Sequence, residues 1–191
     1  MQLPIVLIGP MCAGKSTVAE GLSVRLGVPR CGLDQVRWDY YNEIGYDNEH
    51  AKQIAEAEGP AGIIRYWKPF EAHAVERVLA DHPGEIIDFG AGHSVYDEQE
   101  LLERVRMALA PVRTVILLLP SPDDEESVAI ANERLAKLYE QEGETLQPGI
   151  LEMNAFFVRH PSNRMLATHT VYTKDKTPEE TCEEIIQTIL S

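Results

Sequence analysis

The residues Gly9-Pro10-Met11-Cys12-Ala13-Gly14-Lys15-Ser16 constrain this chain more than any other stretch of it. They match the phosphate-binding pattern G-x-x-x-x-G-K-[ST] in full, and the sequence on either side supplies the context that pattern needs. Ile5-Val6-Leu7-Ile8 is a short apolar run of the kind that forms a buried parallel strand. Beyond the loop, Val18, Leu22 and Leu26 recur at helical spacing. Strand, glycine loop and helix together let a backbone wrap closely round phosphates while a helix N-terminus aims N–H groups at them. Gly9, Met11, Cys12, Ala13, Gly14, Lys15, Ser16 and Thr17 are therefore the expected nucleotide-binding residues. Lys15 would neutralise the β- and γ-phosphates, and the Ser16 hydroxyl would ligate Mg²⁺.

Apolar runs and helical patterns alternate along the rest of the chain. The expected strands are Ile5–Ile8, Gly32–Leu33 with its neighbours, Glu85–Phe89, Thr114–Leu119 and Thr170–Thr173. The alternation predicts a three-layer α/β/α domain over 1–191, with a central, mostly parallel five-stranded sheet. Ser121-Pro122-Asp123-Asp124 predicts a helix start capped by Ser121, and Thr177-Pro178-Glu179-Glu180 predicts another with a capping box. Behind the second start, Cys182, Ile185, Ile186, Ile189 and Leu190 share one face. Two stretches fit the alternation poorly. Residues 35–80 exceed one crossover helix and carry Trp38, Tyr40, Tyr41, Tyr46, Tyr66, Trp67 and Phe70, which read either as a local core or as an acceptor-binding insertion. Residues 121–150 end in the turn signal Gln147-Pro148-Gly149 and read as a lid.

The net charge of −14 argues against a nucleic-acid partner, whose phosphates call for lysine and arginine, but leaves room for ATP in a local positive pocket. No apolar run approaches the roughly 20 residues that span a bilayer, and no basic leader precedes the first strand, so a cytoplasmic location without membrane contact is expected. Cys12, Cys31 and Cys182 have neither metal-ligand nor disulfide spacing, and the six histidines have no zinc spacing. Cys12 reads as a small residue tolerated in the loop or as an oxidisable thiol; His93 reads as a solvated loop histidine or as a group that polarises a hydroxyl. Asp88, the acid at the carboxyl end of Glu85-Ile86-Ile87-Asp88, is placed to hold Mg²⁺ directly or through water. Asp34, at a strand-to-helix junction, reads as a hydroxyl-orienting base or as a helix N-cap.

In this order and spacing the chain resembles the shikimate kinase family of small P-loop kinases over nearly its whole length. Asp34 falls where that family places a substrate-binding aspartate; a further aspartate two residues earlier, near the metal, is here Gly32. Trp67-Lys68-Pro69-Phe70-Glu71 resembles the motif F-R-x-x-E, with Lys68 where an arginine grips the substrate carboxylate. Gly90-Ala91-Gly92 resembles a triple-glycine substrate loop, and Arg159, eight residues before Ala167, resembles a second substrate-binding arginine. Arg134 lies where the lid supplies an arginine.

The resemblance implies ATP- and Mg²⁺-dependent phosphoryl transfer to a small anionic metabolite by a monomer or homodimer. Lys15, Asp34 and Arg134 would be catalytic, and Ser16 and Asp88 would hold the metal. Asp34, Lys68, Gly90, Ala91, Gly92 and Arg159 would hold the acceptor. Gly32, Lys68 and Ala91 depart from the pattern, and a lysine cannot reproduce an arginine's two-pronged hold on a carboxylate. A kinase for a sugar acid, antibiotic or nucleoside is the alternative within the class. A nucleotide-binding regulatory module is the alternative outside it, favoured if Tyr66 or Trp67 fills the acceptor pocket.

Overall fold

The central strand, β1 (Ile5–Ile8), buries all four of its side chains, two toward each face of the sheet. The computed structural model describes residues 2–190 and surrounds β1 with four further strands: β2 (Arg30–Gly32), β3 (Ile86–Asp88), β4 (Thr114–Leu119) and β5 (His169–Tyr172). Their order is β2-β3-β1-β4-β5, and every pairing is parallel. The expected five-stranded sheet is thus parallel throughout. Its second strand ends at Gly32, with Leu33 already opening a helix.

Alternation along the strands sorts the core into two layers. Ile5, Leu7, Ile86, Ile116 and Leu118 meet α1 (Lys15–Leu26) and α8 (Pro178–Thr188) through Val18, Leu22, Cys182 and Ile185. Val6, Ile8, Ile87, Leu117 and Leu119 face the other way, beneath α2 (Leu33–Glu43), α3 (Asn48–Asp81) and α4 (Gln99–Leu109). The capping box at the head of α8 forms as expected: the Glu180 N–H donates to Thr177 Oγ1 and the Thr177 N–H to the Glu180 carboxylate. The other expected cap moves by two residues. Asp123, not Ser121, caps α5 (Asp124–Glu142), because Ser121 Oγ accepts from the Asp123 N–H and turns the chain before the helix begins.

The stretch 35–80 consists of most of α2 followed by α3, which is broken at Gly59 (φ 66°, ψ −159°). Pro60 disfavours helical backbone in the residue before it, and a glycine accepts the left-handed value at no steric cost. Of the two readings of the aromatic run, the local core holds for most of it. Tyr41, Tyr46, Tyr66 and Phe70 stack in a chain with ring centroids 5.2–5.8 Å apart, clamping α2 to α3. The stretch 121–150 is mostly α5, and α6 (Ile150–Arg159) and the short α7 (Pro161–Leu166) follow it. Among the described residues, no helix is long and apolar enough to cross a membrane.

Candidate active site

Three strand ends meet at one edge of the sheet, and the polar side chains of the site gather there. β1 runs into the phosphate loop at Gly9, whose φ of 139° and backbone contact leave no room for a side chain: a Cβ would sit 2.4 Å from the Leu118 carbonyl oxygen. Lys15 opens α1 and is buried, its Nζ donating to the Gly9 and Pro10 carbonyls at 2.9 and 2.8 Å. Burial pushes its ammonium below the usual lysine range, and the carboxylates of Asp34 and Asp88 oppose that shift. Ser16 Oγ donates to Asp88 Oδ2 at 2.7 Å, so the end of β3 and the first turn of α1 share one polar contact. Arg134, from α5, reaches over the loop, with Nη1 3.5 Å from the Cys12 carbonyl oxygen and 3.3 Å from Thr173 Oγ1. The Cys12 thiol is pushed up by burial, with Lys15 and Arg134 offsetting only part of the shift. It therefore lacks the lowered pKa of a reactive cysteine, and the small-residue reading is the one it fits.

The residues expected to hold an acceptor come from α2, α3 and the turn after β3. Asp34 stands in the first turn of α2 behind the cap position Gly32, so it is not an N-cap. Its carboxylate accepts from Arg37 at 3.0 Å and lies against Gly90, where a Cβ would come within 2.2 Å of Asp34 Oδ1. A Cβ on Gly92 would meet Glu71 Oε1 at 2.1 Å. The two glycines of Gly90-Ala91-Gly92 are thus the positions where acid side chains press on the backbone, and the alanine sits between them. Lys68 is buried beside this loop, donating to Glu71 Oε2 at 2.5 Å and to the Gly92 carbonyl at 2.9 Å, with its ammonium over the Tyr96 ring. A cavity of about 690 Å³ opens from Lys68 toward α6, walled by Ile64, Tyr96, Leu101, Met153 and Phe156. Neither Tyr66 nor Trp67 lines it. Arg159 does not join this group: it holds Glu125 of α5 with two hydrogen bonds of 2.8 and 2.7 Å, its side chain 45% exposed.

No protein-family model matches the chain. A shikimate kinase of Thermobifida fusca is 31% identical over 180 residues, 94% of this chain and 91% of that protein. The chain belongs to the shikimate kinase family. Membership makes it an ATP-dependent small-molecule kinase. Many solved structures share its fold, two kinases among them. A shikimate kinase from Acinetobacter baumannii, in complex with shikimate, superposes with a TM-score of 0.61 at 22% identity, covering 97% of this chain and 92% of that one. A gluconokinase from Sinorhizobium meliloti gives a TM-score of 0.57 at 16% identity, covering 96% and 89%.

Several residues of this shikimate kinase relative that shape the site lie outside its sequence motifs. His93 is 1% exposed, which overturns the solvated-loop reading. Its Nε2 meets the Tyr41 hydroxyl at 3.3 Å, and its Nδ1 has no hydrogen-bond partner among the described residues. Burial lowers its pKa to about 4, with Glu71 the main opposing charge, so the ring is neutral at ordinary pH. Asn154, fully buried in α6, accepts from the Met11 N–H at 2.9 Å and donates to Asn132 of α5 at 3.0 Å, pinning both helices to the phosphate loop. Arg30 grips Asp88, and only the strand alternation that puts residues 30 and 32 on one face could have signalled it. At the far end of β3 the ligand atoms of Cys31, His82 and Glu85 lie within 4.8 Å of one another. There His82 already bonds Glu85 at 3.0 Å, and burial raises the Cys31 thiol to about 11, leaving a satisfied pair beside a protonated thiol.

Proposed function

We propose that the chain transfers the γ-phosphoryl group of ATP, in the presence of Mg²⁺, to a hydroxyl of a small metabolite seated between Asp34, the Gly90–Gly92 loop and Lys68. The observation that carries this is the convergence on one sheet edge of the phosphate loop, the Ser16–Asp88 contact and the Asp34–Gly90 contact, with an open cavity beside Lys68. Catalysis of this kind is mostly positioning and charge stabilisation. Lys15 and Arg134 would counter the phosphate charge, and Asp34 would orient the attacking hydroxyl. Ser16 and Asp88 offer hard oxygen donors side by side, which fits Mg²⁺, an ion commonly held by one or two protein oxygens together with waters and substrate phosphates. The ion would draw charge from the transferred group.

The acceptor side supports a relative of shikimate kinase more than shikimate as the preferred substrate. Lys68 offers a point charge already shared with Glu71, and Arg159 would have to leave Glu125 to contribute. The cavity walls are largely apolar, which suits an acceptor carrying an apolar body behind its hydroxyl. Neither Tyr66 nor Trp67 fills the space beside Lys68, so the observation that would favour a regulatory module is not met. The test is a coupled assay of ADP release across hydroxylated metabolites, shikimate and gluconate included. We expect at least one acceptor to drive Mg²⁺-dependent turnover, with shikimate below about 10⁴ M⁻¹s⁻¹ in kcat/KM, the lower end of ordinary enzyme efficiency. Shikimate turnover above that value would make this a shikimate kinase outright, and no acceptor-stimulated turnover at all would return the regulatory module.

A further inference from the structure

Arg30 belongs to none of the motifs of the chain, yet its guanidinium engages the acid next to the phosphate loop. Nε donates to Asp88 Oδ1 at 2.7 Å and Nη2 to Asp88 Oδ2 at 3.1 Å, a two-pronged grip. Oδ2 also accepts from Ser16 Oγ at 2.7 Å. Both oxygens of Asp88 are therefore engaged, by a cation that no accessible pH removes. The pair is sheltered, with side chains 22% and 6% exposed.

Gly32 lies beside this contact. Residues two apart on a strand point to the same face, and a Cβ at position 32 would lie 3.4 Å from Arg30 Nη2. The position lacking an acid and the arginine thus adjoin on one face of β2, and the guanidinium reaches across to the neighbouring strand.

We propose that Arg30 is a resident cation at the metal side of the nucleotide site, and that it makes the hold on ATP less dependent on Mg²⁺ than Ser16 and Asp88 alone would. A carboxylate already neutralised by a guanidinium attracts a divalent ion less, and the guanidinium repels that ion. The same neutralisation removes the repulsion that Asp88 alone would exert on nucleotide phosphates when the ion is absent. Both effects narrow the gap between ATP affinity with metal and ATP affinity without it. The proposal rests on the reading of Ser16 and Asp88 as the metal side.

The experiment is calorimetric titration of the full chain with ATP, once with excess Mg²⁺ and once with chelator, and the quantity read is the ratio of the two affinities. For the unaltered chain we expect a ratio below about tenfold, or ~1.4 kcal/mol. Arg30→Gln keeps a hydrogen-bond donor near Asp88 but removes the charge, and should raise the ratio at least about tenfold over the unaltered chain. Arg30→Lys restores the charge and should return the ratio to the unaltered value. A ratio in Arg30→Gln equal to that of the unaltered chain overturns the proposal. So does a ratio above about tenfold in the unaltered chain, which needs no variant to fold. No effect of Mg²⁺ in any of the three proteins would instead overturn the reading of Ser16 and Asp88, and the proposal with it.

Discussion

The two sides of the cleft are built by opposite means. The nucleotide side is centred on one continuous stretch, 5–17, in which strand, loop and helix follow without interruption and much of the site is backbone, with Asp88, Arg134 and Asn154 reaching in from elsewhere. The proposed acceptor side draws Asp34 from α2, Lys68 and Glu71 from α3, and Gly90, Gly92 and His93 from the turn after β3. It is held by side chains: the buried Lys68–Glu71 pair, the His93–Tyr41 contact, and a polar network in which Ser94 bonds both Asn163 and Ser162, and Ser162 bonds His160. A site made of backbone tolerates drift in side-chain identity. A site made of paired side chains changes its chemistry when one member changes, and it is on this side that Lys68 and Ala91 depart from the pattern the sequence resembles.

The sharpest break in the comparison is Lys15→Ala. It removes a charge that no neighbouring backbone can replace, and turnover with any acceptor should fall by about a thousandfold or more, ~4 kcal/mol in transition-state stabilisation. Steady-state kinetics retaining a tenth of the original rate would separate the loop from the chemistry.

Next in size is Glu71→Ala, which strands the Lys68 ammonium in a buried site. Urea denaturation should show a loss of about 3 kcal/mol, as when one partner of a buried ion pair is removed. Replacing both partners, Lys68→Met with Glu71→Leu, should recover most of that stability while raising KM for the acceptor and sparing ATP binding. Recovery of acceptor binding along with stability would show that the pair holds the fold alone.

A smaller effect comes from His93, neutral in the fold down to about pH 4, whereas the unfolded chain protonates near 6.5. As pH falls the unfolded state binds the proton first. The contribution of the neutral ring is therefore full above about pH 6.5 and is lost toward pH 4, by about 2 kcal/mol between pH 7 and pH 5. In His93→Gln this component is missing, so the stability gap between the two proteins should shift across that window. Parallel curves would place His93 in contact with water.

The smallest effect is expected at Arg159, whose exposed pairing with Glu125 makes it a surface group. Arg159→Ala should change acceptor KM by less than about threefold, in keeping with the small contribution of exposed ion pairs. A tenfold rise would mean that the arginine leaves Glu125 for the acceptor, bringing the two sides closer in design.

Legibility in the sequence followed the same divide. The phosphate loop, the five strands and the α8 capping box depend on neighbours within a few residues, so pattern and chemistry locate them. Asp88 could be placed at the loop because a strand end and a loop at one sheet edge must meet. What could not be read is pairing across distance. Asn154 meets Met11 across 143 positions, and nothing local marks it. Spacing put Arg159 near the end of α6 but not the direction of its guanidinium, which the acids at the head of α5 decide. His93 has the sequence surroundings of a surface loop, and only the closing of α2 and α3 over it makes it a core residue.

The Asn154 latch carries a mechanical consequence. Its side-chain oxygen holds the Met11 N–H, while the same helix presents Met153 and Phe156 to the cavity. A molecule that leans on those two walls leans on the seat of the nucleotide. By reciprocity, whatever factor an occupied cavity adds to nucleotide affinity, a bound nucleotide returns to the cavity. An acceptor seated there would share with the nucleotide a lever arm a single residue long.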